Sequence, residues 1–222
     1  ARAAFPAWRA TPWQERVAIL RRVAERISER LFEIAAVDSL EVGKNRLESL
    51  GDVEEAADFI RAYCAAMEKQ HGFAMRQAAE SSHHRNTSVL KPYGVWGVIS
   101  PFNFPIALSG GPTAAALVAG NTVVLKPAED TPYGPTLLVQ CFADCFAEAG
   151  LPPGVLNFVT GQKAAGAALV DHPDVDGFTF TGSYRVGMEI YAKVAAGRRP
   201  RPVITEMGGK NPAIVARSAN LD

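Results

Sequence analysis

Surplus charge of either sign is missing from this chain. Its 23 lysines and arginines equal its 23 aspartates and glutamates over 222 residues. That balance gives no reason to expect nucleic acid or an anionic membrane surface as a partner. Cysteine is also scarce. Cys64, Cys141 and Cys145 show no zinc-ligand or CxxC spacing and no disulfide framework, which fits a reducing cytoplasm. The chain starts at Ala1 rather than Met, so its start reads as that of a fragment or a processed end. No basic patch leads into an apolar stretch there, and no secretory signal is expected. The two familiar nucleotide fingerprints, GxGxxG and GxxxxGKS/T, are absent as well.

Charge is absent locally, too, from Ile106 to Leu125. Twenty uncharged residues have the length of a membrane span. Gly110-Gly111-Pro112 and Gly120-Asn121 punctuate them, however, as a helix start and stop would. The stretch predicts a buried helix feeding a buried strand.

What is present is an ordinary soluble composition, 48% hydrophobic and 21% charged, in a length that allows one or two domains. Apolar residues recur at helical spacing from Trp13 to about Ala36 (Val17, Leu20, Val23, Ile27, Leu31, Ile34). They recur again after Gly51 (Val53, Ala56, Ala57, Ile60, Cys64, Met67), so two helices are expected to open the chain. His71 to Lys91 is polar and aperiodic, a loop or an exposed hairpin. His83 and His84 are adjacent and lack a third ligand, which argues against a metal there.

From Tyr93 the texture changes to short apolar strands alternating with helical segments. Strands are expected at Val95–Ser100, Thr122–Leu125, Val155–Val159, Gly177–Phe180 and Val203–Thr205. Helices are expected at Ile106–Ala119, Thr136–Ala149, Ala164–Val170 and Val186–Ala196. This alternation predicts an α/β fold, a Rossmann-like doubly wound parallel sheet preceded by two helices and a polar extended segment. Ligands of such sheets bind at the carboxyl ends of the strands. The three cysteines, on apolar helical faces, are assigned to packing.

Each strand end carries chemistry with a plainer alternative. Asn103, in Pro101-Phe102-Asn103-Phe104-Pro105, offers an amide donor for an oxyanion, or simply forms a turn. Lys126 and Glu129, in Lys126-Pro127-Ala128-Glu129, could grip a diol such as a ribose, or form a surface ion pair. Gly182-Ser183, in Thr181 to Gly187, suits a phosphate at a helix N-terminus, or caps that helix. The turn from Gly161 to Gly166 is weaker. Glu206 ends an apolar strand and leads into Met207-Gly208-Gly209-Lys210; a carboxylate so placed can face a cleft, beside glycines that let a ligand reach the backbone.

In the order PFNFP, KPAE, FTGSxxVG, EMGGK, these motifs resemble the aldehyde dehydrogenase superfamily from about Trp13 to the C-terminus. The resemblance implies an NAD-binding domain, with NADP as the alternative, and an aldehyde as substrate. It divides the chain into N-terminal helices of the cofactor domain (1–70), an extended oligomerisation segment (71–91) and the dinucleotide-binding domain (92–222). A homo-oligomer in the cytoplasm is implied, with no nucleic-acid or membrane partner.

Carried over residue by residue, Asn103 is implied as oxyanion donor and Glu206 as general base. Ile99, Ser100, Pro101 and Phe102 match the loop lining the cofactor, and Phe102 stands where many members have Trp. Lys126 and Glu129 match the pair on the adenosine ribose, with Gly166 nearby. Phe180, Gly182, Ser183 and Val186 match the phosphate and adenine turn, and Met207 and Gly208 the backbone beside the nicotinamide. Glu129 would repel a 2′-phosphate and so favours NAD.

In the reaction this implies, a cysteine thiolate attacks the aldehyde and a thiohemiacetal oxyanion forms. Hydride loss gives a thioester, and a base-activated water hydrolyses it. That cysteine belongs to a following catalytic domain, and none of Cys64, Cys141 and Cys145 matches it, so these 222 residues alone are expected to be inactive. Ser39 to Lys44, Asp52 to Ala56 and EMGGKNP resemble the L-glutamate γ-semialdehyde (1-pyrroline-5-carboxylate) branch of the superfamily, which would imply a place in proline catabolism. The alternatives are a non-catalytic dinucleotide-binding or structural protein and, against the presence of Glu206, a reductase running in reverse.

Overall fold

A computed structural model describes residues 1–220. Four helices open it, not two: α1 (Phe5–Ala10), α2 (Trp13–Glu29), α3 (Leu31–Val42) and α4 (Arg46–Lys69). The periodic run from Trp13 is broken at Arg30, which leaves the helical basin at φ −96° and ψ 13°. The apolar stripe of α2 (Leu20, Val23, Ile27) continues on α3 through Ile34 and Ala35, so the break is hidden from a periodicity count. α1 is only six residues long, yet it buries Trp8, whose indole N–H donates to the Leu117 carbonyl at 3.1 Å. α4 begins at Arg46 and runs through Gly51. Asn45 caps it by accepting the Glu48 N–H at 3.0 Å, while the Glu48 carboxylate accepts from the Asn45 side-chain Nδ2 at 2.8 Å.

Beyond α4 the chain turns through His71, Gly72 and Phe73, all at positive φ, into an exposed antiparallel hairpin of β1 (Ala74–Gln77) and β2 (Asn86–Val89). Of the two readings of the polar segment, the hairpin is the one formed.

The remainder is a five-stranded sheet of β3 (Val95–Ile99), β4 (Thr122–Lys126), β5 (Leu156–Phe158), β6 (Gly177–Thr181) and β7 (Val203–Glu206). Its strands alternate with α5 (Ala107–Val118), α6 (Tyr133–Glu148), α7 (Lys163–Asp171) and α8 (Tyr184–Ala195). Every pairing in it is parallel, and the strand order is β5-β4-β3-β6-β7. The doubly wound α/β expectation holds.

The register sorts the side chains into two cores. Trp96, Val98, Val123 and Leu125 face α2, α4, α5 and α6. Val95, Phe178 and Phe180 face the other way, with Leu169 and Val170 of α7 and Ile190 and Val194 of α8. Burial on both faces explains why β3, β4 and β6 read as apolar runs, whereas β7, at the sheet edge, exposes Ile204 and Glu206. β3 and β6 are neighbours whose following helices lie on opposite faces, so the loops leaving them diverge. In sheets of this kind such a divergence marks the carboxyl edge as the place where ligands bind. Among the described residues no helix is long and apolar enough to cross a membrane; the uncharged stretch divides into α5 and β4.

Candidate active site

The carboxyl edge gathers the sequence-predicted residues from four adjacent strands. Ile99 pairs in register with Lys126 on one side and Phe180 on the other, and Thr181 pairs with Glu206. Lys126 and Glu206 thus lie three interstrand steps apart, roughly 14 Å.

Beyond β3, Ser100 is buried and its hydroxyl shares a 2.7 Å hydrogen bond with that of Ser109 on α5, tying the loop to its own helix. Pro101 is half-buried, whereas Phe102, Asn103 and Phe104 are exposed above buried Pro105 and Ile106. The Asn103 amide has no hydrogen-bond partner among the described residues. It is therefore available to a ligand.

At the end of β4, Lys126 is buried and donates from Nζ to the Pro127 carbonyl at 2.9 Å. Burial lowers its pKa, against the opposing field of the exposed Glu129. Its methylenes pass within 3.7 Å of where a Cβ on Gly166 would stand, so α7 packs on the lysine stem. The ammonium is held at the edge while Glu129 reaches into solvent.

Beyond β6, Ser183 is the N-cap of α8 and accepts the Val186 N–H at 3.4 Å. Phe180 is buried on the α7–α8 face rather than open to a ligand. Its ring lies where a Cβ on Gly182 would come within 2.7 Å, and Met207 Sδ lies 2.4 Å from the Cβ position of Gly187. These two glycines let Phe180 and Met207 pack against the turn. Glu206 ends β7 with an exposed side chain, its carbonyl accepting the Gly182 N–H at 3.1 Å; Met207 is half-buried and Gly208 exposed.

Which helix end suits an anion follows from what occupies the others. Neither α5 nor α6 has a side-chain cap or an acid in its first turn. Carboxylates from the N-terminal helices serve instead. Asp52 of α4 accepts the Ala107 N–H at 2.8 Å, and Glu41 of α3 accepts the Tyr133 and Gly134 N–H groups at 2.8 and 2.7 Å. A phosphate at either end would meet a resident negative charge. The starts of α7 and α8 have no acid in their first turns; that of α8, which follows β6 at the middle of this edge and has an exposed cap, offers an anion backbone N–H groups and the helix dipole. Sequence reading singled out Asp52 and Glu41 only as branch markers. The missing caps of α5 and α6 were the signal that remote partners must exist.

No thiol joins this edge. Cys64, Cys141 and Cys145 are buried, and burial pushes all three pKa values up, that of Cys64 to about 11. As shielded, protonated thiols they are poor nucleophiles.

A model of the aldehyde dehydrogenase family matches residues 1–222. The 1-pyrroline-5-carboxylate dehydrogenase 2 of Bacillus subtilis (strain 168) is 41% identical over 225 residues, covering 99% of this chain and 42% of that protein. The N-succinylglutamate 5-semialdehyde dehydrogenase of Chromobacterium violaceum is 39% identical, over 100% of this chain and 44% of its own length. The structure of a mutant Thermus thermophilus 1-pyrroline-5-carboxylate dehydrogenase superposes with a TM-score of 0.87 at 35% identity, over 95% of this chain and 41% of that one. The chain thus spans about two fifths of the length of the curated relatives it matches.

Proposed function

The chain belongs to the aldehyde dehydrogenase family, and from that premise we propose that its protein oxidises an aldehyde to a carboxylic acid with NAD as acceptor. The observation that carries this reading is the single edge on which Lys126, Glu129, Asn103, Ser183 and Glu206 converge from four neighbouring strands. NAD, when bound, supplies the hydride acceptor. Glu129 and Lys126 would take the adenosine ribose hydroxyls, and the α8 start at Gly182-Ser183 the pyrophosphate. Ile99 to Phe102, with Met207 and Gly208, would border the nicotinamide end.

The chain's own chemistry is then electrostatic and acid–base. The Asn103 amide donates to the oxygen that becomes negative when a thiolate adds to the aldehyde carbonyl. One such donor is worth about 3–4 kcal/mol of barrier. Glu206 accepts a proton from the water that cleaves the thioester. The thiolate must come from outside Cys64, Cys141 and Cys145. The exposed β1–β2 hairpin is the surface on which copies would assemble.

For the substrate we propose L-glutamate γ-semialdehyde, in equilibrium with 1-pyrroline-5-carboxylate, as the names of two of the similar proteins suggest. A second reading, the N-succinylated aldehyde, is favoured by the similarly high identity of the Chromobacterium relative. One experiment addresses all of this. NAD binding is titrated on the 222-residue chain, and NADH formation is assayed on the polypeptide expressed from the complete coding region. The expected result is NAD binding without turnover by the chain alone, and turnover of one of the two aldehydes by the complete polypeptide. Absent NAD binding, or turnover of neither, refutes the proposal; comparing kcat/KM decides the substrate.

A further inference from the structure

Asn103 can serve as an oxyanion donor only if its loop is held still, and its own loop offers little to hold it. The amide is exposed and unpartnered, and the helix that follows begins at Ala107 without a local cap. Three residues separate the two. The hold comes from far away in sequence. Asp52, whose side chain is fully buried on α4, accepts the Ala107 N–H at 2.8 Å through Oδ1. Its Oδ2 accepts from Lys44 Nζ at 2.8 Å and faces the Ile106 N–H at the outer limit of 3.5 Å. The same ammonium sits 3.9 Å from the centre of the Phe104 ring. One buried ion pair therefore touches the residue immediately after Asn103 and the first turn of the helix behind it.

We infer that Asp52, with Lys44, is a positioning residue for Asn103, fixing the oxyanion donor relative to α4. The inference rests on the proposed function. A buried ion pair is a weak device for stability alone, because desolvating two charges offsets most of their attraction. A Ser or Asp at the N-cap, position 106, would satisfy a first-turn N–H locally at smaller cost. What a local cap does not do is register the loop against another helix. That registration matters to a donor that must lie about 2.7–3.1 Å from the developing oxyanion. Displacement of a catalytic group by about 1 Å can cost on the order of 100-fold in rate.

The test compares Asp52→Ala, Asp52→Asn and Lys44→Gln. In the polypeptide expressed from the complete coding region, Asp52→Ala is expected to lower kcat by about 10- to 100-fold. KM for NAD should stay within about two-fold, because the proposed contacts to the adenosine ribose and the pyrophosphate lie after β4 and at the start of α8 and not on this loop. Asp52→Asn, which keeps an acceptor for Ala107, should recover much of that loss, and Lys44→Gln should fall between. In the 222-residue chain, the Asn103 side-chain amide resonance should shift and broaden in Asp52→Ala while resonances of β6 and α8 stay in place. Wild-type kcat in folded Asp52→Ala, or equal losses in Asp52→Asn and Asp52→Ala with KM rising in parallel, would overturn the inference. If Asp52→Ala does not fold, Lys44→Gln decides: a lowered kcat at constant KM supports the inference, an unchanged kcat overturns it. If the wild-type polypeptide oxidises no aldehyde, the functional reading fails on its own. The Asn103 resonance still judges the positioning, and an unmoved signal in Asp52→Ala or Lys44→Gln sinks it.

Discussion

Replacing Lys44 with Met is expected to cost the fold about 3–5 kcal/mol at neutral pH and distinctly less in acid. Lys44 Nζ lies 2.8 Å from Asp52 and 3.5 Å from Asp38, and both aspartate side chains are fully buried. Met fills a similar volume against Phe104, so the loss is one of charge more than of packing. It leaves two buried carboxylates facing each other without a cation. Removing one partner of a buried pair costs about 3–5 kcal/mol for that reason, a large part of the 5–15 kcal/mol that holds a typical domain together.

The pH dependence follows from Asp38, whose two oxygens have no hydrogen-bond partner among the described residues. Its pKa is already raised, first by burial and then by Asp52, with Lys44 opposing. A carboxyl raised in the folded state contributes stability that is full below its unfolded value, about 3.9, and lost as pH rises through the folded value. Without Lys44 the opposing effect disappears and the folded pKa climbs further. The penalty should therefore be greatest at neutral pH and shrink as pH falls and Asp38 takes up its proton. Urea denaturation followed by circular dichroism, for wild type and variant at about pH 7.5 and about pH 5, measures this directly. A penalty below about 1 kcal/mol at neutral pH, or one that is flat with pH, refutes the reasoning.

Three further outcomes are expected. Gly177→Ala would place a methyl 2.3 Å from the Trp96 ring, whose N–H is fixed on Thr179 Oγ1 at 2.7 Å; a loss of about 2–4 kcal/mol should follow. The double variant with Trp96→Leu should show a positive coupling in urea melts, and strict additivity would count against the contact. Glu129→Gln, by removing the carboxylate that would face a 2′-phosphate, should raise affinity for NADP relative to NAD by about tenfold or more in calorimetric titrations; an unchanged ratio would take the ribose away from Glu129. Iodoacetamide should leave Cys64, Cys141 and Cys145 unlabelled in the native protein and label all three in urea, as read by mass spectrometry, because each is buried with a raised pKa; rapid native labelling would contradict their packing.

The centre of the sheet was legible because β3, β4 and β6 are covered on both faces. Val95 and Val98 point to opposite cores, so β3 reads as unbroken apolar sequence between turn signals. The ligand edge was legible for a topological reason: in a doubly wound sheet, a residue that ends a strand is already at the site. Features that depend on sequence-distant partners were hidden. The cap on Ala107 comes from a residue 55 positions earlier, and the cap on Gly134 from one 93 positions earlier. The burial of Phe180 depends on two glycines and on Met207. The break at Arg30 escaped because the helices on either side present one continuous apolar stripe. Asn45, by contrast, announced the start of α4 through its spacing to Glu48, and the later start assumed from Gly51 overlooked that signal.

The order in which the two layers are synthesised has a consequence for the nascent chain. α2 and α4 bury Leu20, Val23, Ile27, Val53 and Ile60 in a core completed by α5 and α6. α4 ends at Lys69 and α6 at Glu148, 79 residues later. At about 5–20 residues per second a ribosome needs roughly 4–16 s to cover that distance. For those seconds a finished helical layer waits with its apolar side uncovered, and β3 waits longer still for β6. The N-terminal helices are thus the segment of the growing chain most exposed to chaperones and to misassociation. Synonymous changes that slow translation between α4 and α6 would lengthen that exposure without altering a single residue of the folded protein.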